Sequence, residues 1–382
     1  MATGTAACLA QAGHDPMIWS PSGESLPATA IQEEQITITA SGALNFQFDT
    51  RIAPNCQVLM EKNDVLLIAI PAYGHKQIFD ELAPLVRNDQ HIIISSHSSL
   101  GALYLARLLK QRKEITTVPI TAWGTTVCTA RRNNNDDDDD GKNGNSLSVL
   151  VNTVRTKVDC CTIPFQAQVG ATKLCQELFG EGIEFSPRDG VLAISLSNLN
   201  PQNHLGIALG NMARIEKGEQ WYQFDNITPT IGRFLEQLDE ERLAIAKELK
   251  LEVKTIFEHF SQGFQVPIKG SISDMNQAIH AAGRDVFGPT SASSRYVTED
   301  APFGLAVIVV LGNLCGRPAI LHQSGLQILS AMYGRDFMNE NDLLDALNLD
   351  NISLDDLKKA AYTGDLTEGK SQTDKQQVSS AV

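Results

Sequence analysis

The chain has 382 residues, 42% hydrophobic and 20% charged, with a formal net charge of −14. That is enough apolar material for two ordinary domains, and it excludes a wholly disordered or collagen-like chain. So acidic a balance leaves no electrostatic footprint for duplex nucleic acid or an anionic lipid surface, and the longest wholly apolar stretch, residues 305–311, falls far short of the roughly 20 residues that cross a bilayer. Neither nucleic acid nor membrane is expected as a partner. Seven cysteines are scattered without a CxxC pair, against a disulfide scaffold or zinc site. No Lys or Arg precedes Arg51, so neither a secretory nor a transit leader is expected, and the sequons at Asn226 and Asn351 should stay bare. The expected setting is cytoplasmic.

In chain order, the first thirteen residues are small helix formers stopped by Gly13, and residues 17–19 follow as a strand. An Ala- and Gly-rich helix beside a strand is what close packing at a dinucleotide site requires. The glycine fingerprint places its glycines before or at the helix start; only Ala2 and Gly4 match here. A plain Ala-rich helix is the other reading. The preferred one is that the chain starts one strand late and lacks the leading glycines. Ser20 occupies the end of the next strand, where an Asp or Glu would hold the NAD ribose and an Arg would favour NADP, so Ser20 decides neither.

Further short apolar runs at 35–39, 65–70, 91–95, 117–120 and 147–154 read as strands, with amphipathic helices at 77–86 and 101–110 between them. This alternation predicts a parallel sheet covered on both faces. Ligands bind at the carboxyl ends of such strands, which makes Pro71 and Tyr73, just past the 65–70 run, candidate cofactor contacts. Residues 133–146 (NNNDDDDDGKNGNS) read as a disordered inserted loop. Their five aspartates lack the glycine-turned register of a calcium loop, so no metal is expected. The second half is helical. Thr228 and Pro229 open one helix, residues 302–315 form a buried one ending at Gly316, and residues 323–333 a third ending at Gly334. The boundary is expected near 185, giving domains 1–185 and 186–350, then an extension 351–382 that is disordered from about 367.

Two polar clusters run directly into apolar helices. One is Asn198-Leu-Asn-Pro-Gln-Asn203-His204; the other is Ser294-Arg295-Tyr296-Val-Thr-Glu-Asp300-Ala-Pro-Phe-Gly304. Singly, His204 is an ordinary capping or core histidine, and Arg295 with Asp300 an ordinary surface pair. Together they offer an imidazole to move protons, a carboxylate to fix its tautomer and a guanidinium for an anion.

The pattern NxxxxNH…NMARIEKGE…WYQFDNITPTIGRFLEQLDEERLAIAKELKL, then GPTSASSRYVTEDAPFGL, resembles the octopine/nopaline (opine) dehydrogenases. The resemblance runs from the first residues to about Leu347, omitting the 133–146 insertion and the tail. It implies an α/β N-terminal Rossmann-like parallel sheet, here without its first strand, plus an all-helical C-terminal domain. The implied reaction is the NAD(P)H-dependent reductive condensation of an α-keto acid with the amine of an amino acid. Position by position, it implies His204 as catalytic acid/base, Asp300 as its partner, and Arg295 on an anion, with the cofactor pyrophosphate preferred over a substrate carboxylate. The alternatives are another two-domain NAD(P)-dependent oxidoreductase of 2-oxo or 2-hydroxy acids, and a non-catalytic ligand-binding relative. The sequence leaves open the oligomeric state, the substrate pair and the choice between NAD and NADP.

Overall fold

The computed structural model describes residues 1–112, 114–115, 117–132 and 145–366. The chain divides into two compact units, Met1–Asn198 and Leu199–Val382, so the division falls after the expected 185. The cause is a helix, Gly190–Ser197, whose apolar side chains pack into the first unit rather than the second. Most of the predicted insertion (133–144) and the predicted disordered tail from 367 lie outside the described residues. The insertion's last two positions are in the fold: Asn145 accepts a backbone bond from Thr37, and Ser146 opens a strand.

The first unit runs α1 Ala2–Gln11, β1 Met17–Ile18, α2 Ala28–Glu33, β2 Gln35–Gly42, β3 Phe46–Ile52, α3 Cys56–Lys62, β4 Val65–Ile68, α4 His75–Leu82, β5 His91–Ile94, α5 Gly101–Lys110, β6 Ile120–Trp123, β7 Cys128–Arg132, β8 Ser146–Val154, β9 Lys157–Ile163, α6 Gln168–Phe179, β10 Glu184–Pro187 and α7 Gly190–Ser197. The α/β class is as expected. The sheet differs in detail from a single parallel one. It comes as two five-stranded sheets, ordered β1-β3-β2-β8-β7 and β10-β9-β6-β5-β4. The β1/β3, β2/β8, β4/β5, β5/β6 and β9/β10 pairs are parallel, whereas β2/β3, β7/β8 and β6/β9 are antiparallel. The strand expected at 117–120 sits instead at Ile120–Trp123, because Pro119 cannot donate to a central ladder.

α1 serves both sheets. Ala6 and Ala7 enter a core with Ile18, Ile36, Ile38 and Ile52, while Cys8 enters one with Ile93, Trp123, Phe179 and Phe185. Such an approach needs small side chains. A Cβ on Gly4 would lie 2.4 Å from Cβ of Ala130 on β7, so only glycine fits there.

The second unit is helical: α8 Asn200–Glu216, α9 Pro229–Glu248, α10 Ile256–Phe264, α11 Ile272–Ala281, α12 Arg295–Thr298, α13 Ala306–Leu314, α14 Ile320–Tyr333, α15 Asp342–Leu347 and α16 Leu354–Thr363. A π-helical turn, Ala301–Leu305, joins α12 to α13. Thr228 stands at the start of α9, yet its hydroxyl makes no capping bond. Asp239 on α9 organises the interior: it accepts from Arg242, from Gln202 on α8 and from the Ile256 amide that opens α10. Arg242 is fully buried, so this network must be complete to be tolerated. By length and composition the run Arg295–Leu314 could cross a membrane, but 61% of its most apolar window is buried inside the fold, as for a core helix.

Two histidines of the first unit fix a pH dependence. His97 is sealed, and its Nε2 accepts from the Ala102 amide at 3.1 Å, a bond only neutral imidazole can make. Burial lowers its pKa to about 3 and that of His91 to about 4, against about 6.5 in an unfolded chain. The unfolded state therefore binds more protons below pH 6.5, and stability falls as pH drops from about 6.5 toward 4. Each histidine contributes up to about 1.4 kcal/mol per pH unit in that window. Thermal melts across pH 7 to 4 should show this slope, and His97→Gln should flatten it relative to the parent.

Candidate active site

The second unit brings His204 and Asp300 together. Pro201 presets φ in the first turn of α8, and His204 follows in the next. Asp300 arrives from 96 residues further along, between α12 and the π-helical turn. His204 Nδ1 lies 2.6 Å from Asp300 Oδ2. A carboxylate only accepts, so Nδ1 carries the proton and donates, and Nε2 is left for a reacting partner. The two side chains are 15% and 21% exposed, sheltered but reachable.

The ring's plane is fixed separately. Tyr296 stacks on His204 with centroids 3.6 Å apart and planes 15° apart. Its hydroxyl donates to Gln223 Oε1 at 2.6 Å. The close approach of α8 to the turn after Asp300 rests on Gly304, where a Cβ would lie 2.2 Å from Cγ of Pro201. Arg295, beside this stack in sequence, is 60% exposed and donates through Nε to Glu299, one turn along.

A second imidazole–carboxylate pair in the same unit makes a useful contrast. His322 Nδ1 lies 2.9 Å from Glu241. Glu241 also accepts from the Leu321 and His322 amides, tying α14 to α9. His322 is fully buried, and burial depresses its pKa. That pair is a tie-rod between helices; the His204 pair is open to a reactant.

In the first unit, Ala2 and Gly4 lie in the first turn of α1, which has no side-chain cap. Its free amides suit an anion. Gly4, however, is spent on the contact with β7. Ser20 follows β1, and its Oγ accepts from Ser25 Oγ at 2.7 Å. Pro71 and Tyr73 follow β4, on a 3-10 turn, with Tyr73 58% exposed. The structure thus puts Ser20, Pro71 and Tyr73 at strand carboxyl ends, and His204, Asp300 and Arg295 in the other unit.

Sequence reasoning assigned no role to Tyr296 or Gln223, although Tyr296 stands inside the motif it singled out. It also passed over the segment after β5. There Ser96, Ser99 and Leu100 all have φ between 52° and 62°, a costly conformation for side-chain-bearing residues and one found mainly where function demands it. Ser-Ser-His-Ser-Ser reads as an ordinary loop, so nothing in the letters marks it.

Comparison with known proteins follows the same division. Residues 187–333 match the family described as NAD/NADP octopine/nopaline dehydrogenase, alpha-helical domain, and residues 1–96 match ketopantoate reductase PanE/ApbA. An opine dehydrogenase of Arthrobacter sp. (strain 1C) is 27% identical over 93% of this chain and 94% of its own. Among solved structures, octopine dehydrogenase with NADH and L-arginine shares the fold at a TM-score of 0.74, with 15% identity over 96% of both chains. Yersinopine dehydrogenase with NADP+ bound follows at 0.66, with 12% identity over 90% of this chain and 94% of that one. The helical unit thus matches the octopine/nopaline dehydrogenase family, the chain as a whole is similar to an opine dehydrogenase, and it is an NAD(P)-dependent oxidoreductase.

Proposed function

We propose that the chain condenses an α-keto acid with the amine of an amino acid and reduces the product to a secondary-amine dicarboxylate. The observation that carries this reading is the sheltered but reachable, doubly oriented His204, held by Asp300 at 2.6 Å and by the Tyr296 stack. Keto acid, ammonium group, NAD(P)H and one proton give the secondary ammonium product, NAD(P)+ and water.

His204 Nε2 takes a proton as the amine adds to the keto carbon and returns one to the carbinolamine hydroxyl as water leaves. Asp300 stabilises the imidazolium formed between these steps and keeps the tautomer correct for both. NAD(P)H, when bound, supplies the hydride. On this reading the uncapped first turn of α1 holds its pyrophosphate, and Ser20, Pro71 and Tyr73 line its path across the strand ends. Arg295 exchanges Glu299 for an anion, the pyrophosphate in the first instance and a substrate carboxylate in the second.

The match of residues 1–96 to ketopantoate reductase favours a second reading, simple reduction of a 2-oxo acid. The two part on one assay. Oxidation of NADH or NADPH should require a keto acid such as pyruvate together with an amino acid. Steady oxidation with the keto acid alone establishes the second reading instead.

His204→Ala should lower turnover by roughly 10²–10⁴-fold with cofactor affinity nearly intact. Asp300→Asn should follow it, because the amide keeps a hydrogen bond but cannot stabilise the imidazolium. Activity that survives either change removes that residue from the mechanism.

Arg295→Ala distinguishes the two anions. A pyrophosphate clamp predicts weaker NAD(P)H binding by about 1.5–3 kcal/mol, the worth of one charge-assisted contact. An unchanged cofactor Kd with a raised keto-acid KM assigns Arg295 to the substrate.

A further inference from the structure

Gln223 lies in the connection between α8 and α9 and is 7% exposed. Its backbone is held without help from its side chain. The Gln223 amide N–H donates to the Val286 carbonyl at 2.8 Å, and Asp285 accepts from the next two backbone amides, those of Phe224 and Asp225. Tyr222, on the other side, stacks on Phe287 with centroids 4.9 Å apart. The loop is thus fixed by its neighbours, and the Gln223 side chain reaches instead to the ring that stacks on His204.

One hydrogen bond decides what that side chain can bind. Tyr296 donates its hydroxyl to Gln223 Oε1 at 2.6 Å. With the oxygen turned to Tyr296, the other end of the planar amide presents two N–H donors and no acceptor. Among the described residues Nε2 makes no hydrogen bond, yet it is not sealed from solvent. Such an end takes a carboxylate or a carbonyl and offers nothing to an ammonium group. One phenol ring separates it from the imidazole of His204. Arg295 goes first to the pyrophosphate on the reading above, which leaves the substrate carboxylates in want of a donor.

We propose that Gln223 is a substrate-binding residue whose Nε2 donates to a carboxylate of the keto acid or of the amino acid, while Tyr296 holds the amide in that orientation. Tyr296 then serves two groups at once: its face sets the plane of His204, and its hydroxyl sets the direction of Gln223. The proposal rests on the catalytic reading for the class of its ligands, and its test is a binding measurement kept apart from turnover.

Pyruvate, and separately a panel of L-amino acids, are titrated calorimetrically into the chain loaded with NAD+, which has no hydride to give. Gln223→Glu still accepts from Tyr296 but turns a negative charge toward the ligand. It should weaken one of the two ligand classes by roughly tenfold or more, with Tm near that of the parent. The class affected identifies whose carboxylate Gln223 holds. Gln223→Met removes the donors without adding charge and should weaken the same class less. Tyr296→Phe keeps the ring stack but frees the amide to turn over, and should weaken that class by a few-fold. Affinities of Gln223→Glu within about twofold of the parent for both classes overturn the proposal. Lost turnover with unchanged affinity overturns it too, since Gln223 would then only support the stack. So does a parent that binds neither class. A parent that binds pyruvate but never condenses it counts against the catalytic reading alone.

Discussion

The hydrogen bond between His204 and Asp300 depends on how closely α8 approaches the turn that follows Asp300. That distance is set by the absence of a side chain at Gly304, where even a methyl carbon would collide with Pro201 at 2.2 Å. Pro201 and Gly304 each lie within four residues of a member of the pair, on the same two segments. Their contact therefore acts as a short lever on the 2.6 Å bond. Interiors are packed to crystal-like density, so a displaced turn cannot be absorbed quietly. The Asp239 network does similar work one layer deeper, tying Gln202 of α8 to α9 and to the start of α10.

Electrostatics frames the same site. A chain of net charge −14 repels anions at long range, yet an opine-forming reaction brings a cofactor pyrophosphate and substrate carboxylates together. Local positive features must outweigh the general field. Arg295 is one, and its partner Glu299 is only 13% exposed while Arg295 itself is 60% exposed. The guanidinium is thus reachable from solvent, while its sheltered carboxylate partner sets the cost of releasing it.

Much of this was legible in the letters. Helix α5 appears at the predicted 101–110, Gly13, Gly316 and Gly334 all adopt positive φ where helices were expected to stop, and the 302–315 run is the buried helix its composition required. β3, β7, β9 and β10 were not foreseen. β3 alternates strictly, Phe46, Phe48, Thr50 and Ile52 against Gln47, Asp49 and Arg51, so it was legible and was passed over; β9 begins Lys-Val-Asp, whose charges mask a strand buried at its far end. The polar clusters that run into apolar helices singled out His204 and Asp300, and the family resemblance paired them; the structure sets the two side chains 2.6 Å apart. Tyr296 was not paired with either, because its role is a ring-on-ring contact across 92 residues of chain, and no local pattern encodes which aromatic will meet which imidazole.

The two sheets show the same limit from the other side. Periodicity identifies a strand by its own residues, whereas an edge is a property of its neighbours. β1 and β4 look alike in sequence to strands with two partners; only the topology shows that each has one. α1 reaches both sheets through Ala6, Ala7 and Cys8, and Gly4 presses it onto β7. The helix is thus positioned by packing on elements that come later in the chain. No local reading of residues 2–11 could supply that position, because the contacts that set it come from β7 and from both sheets.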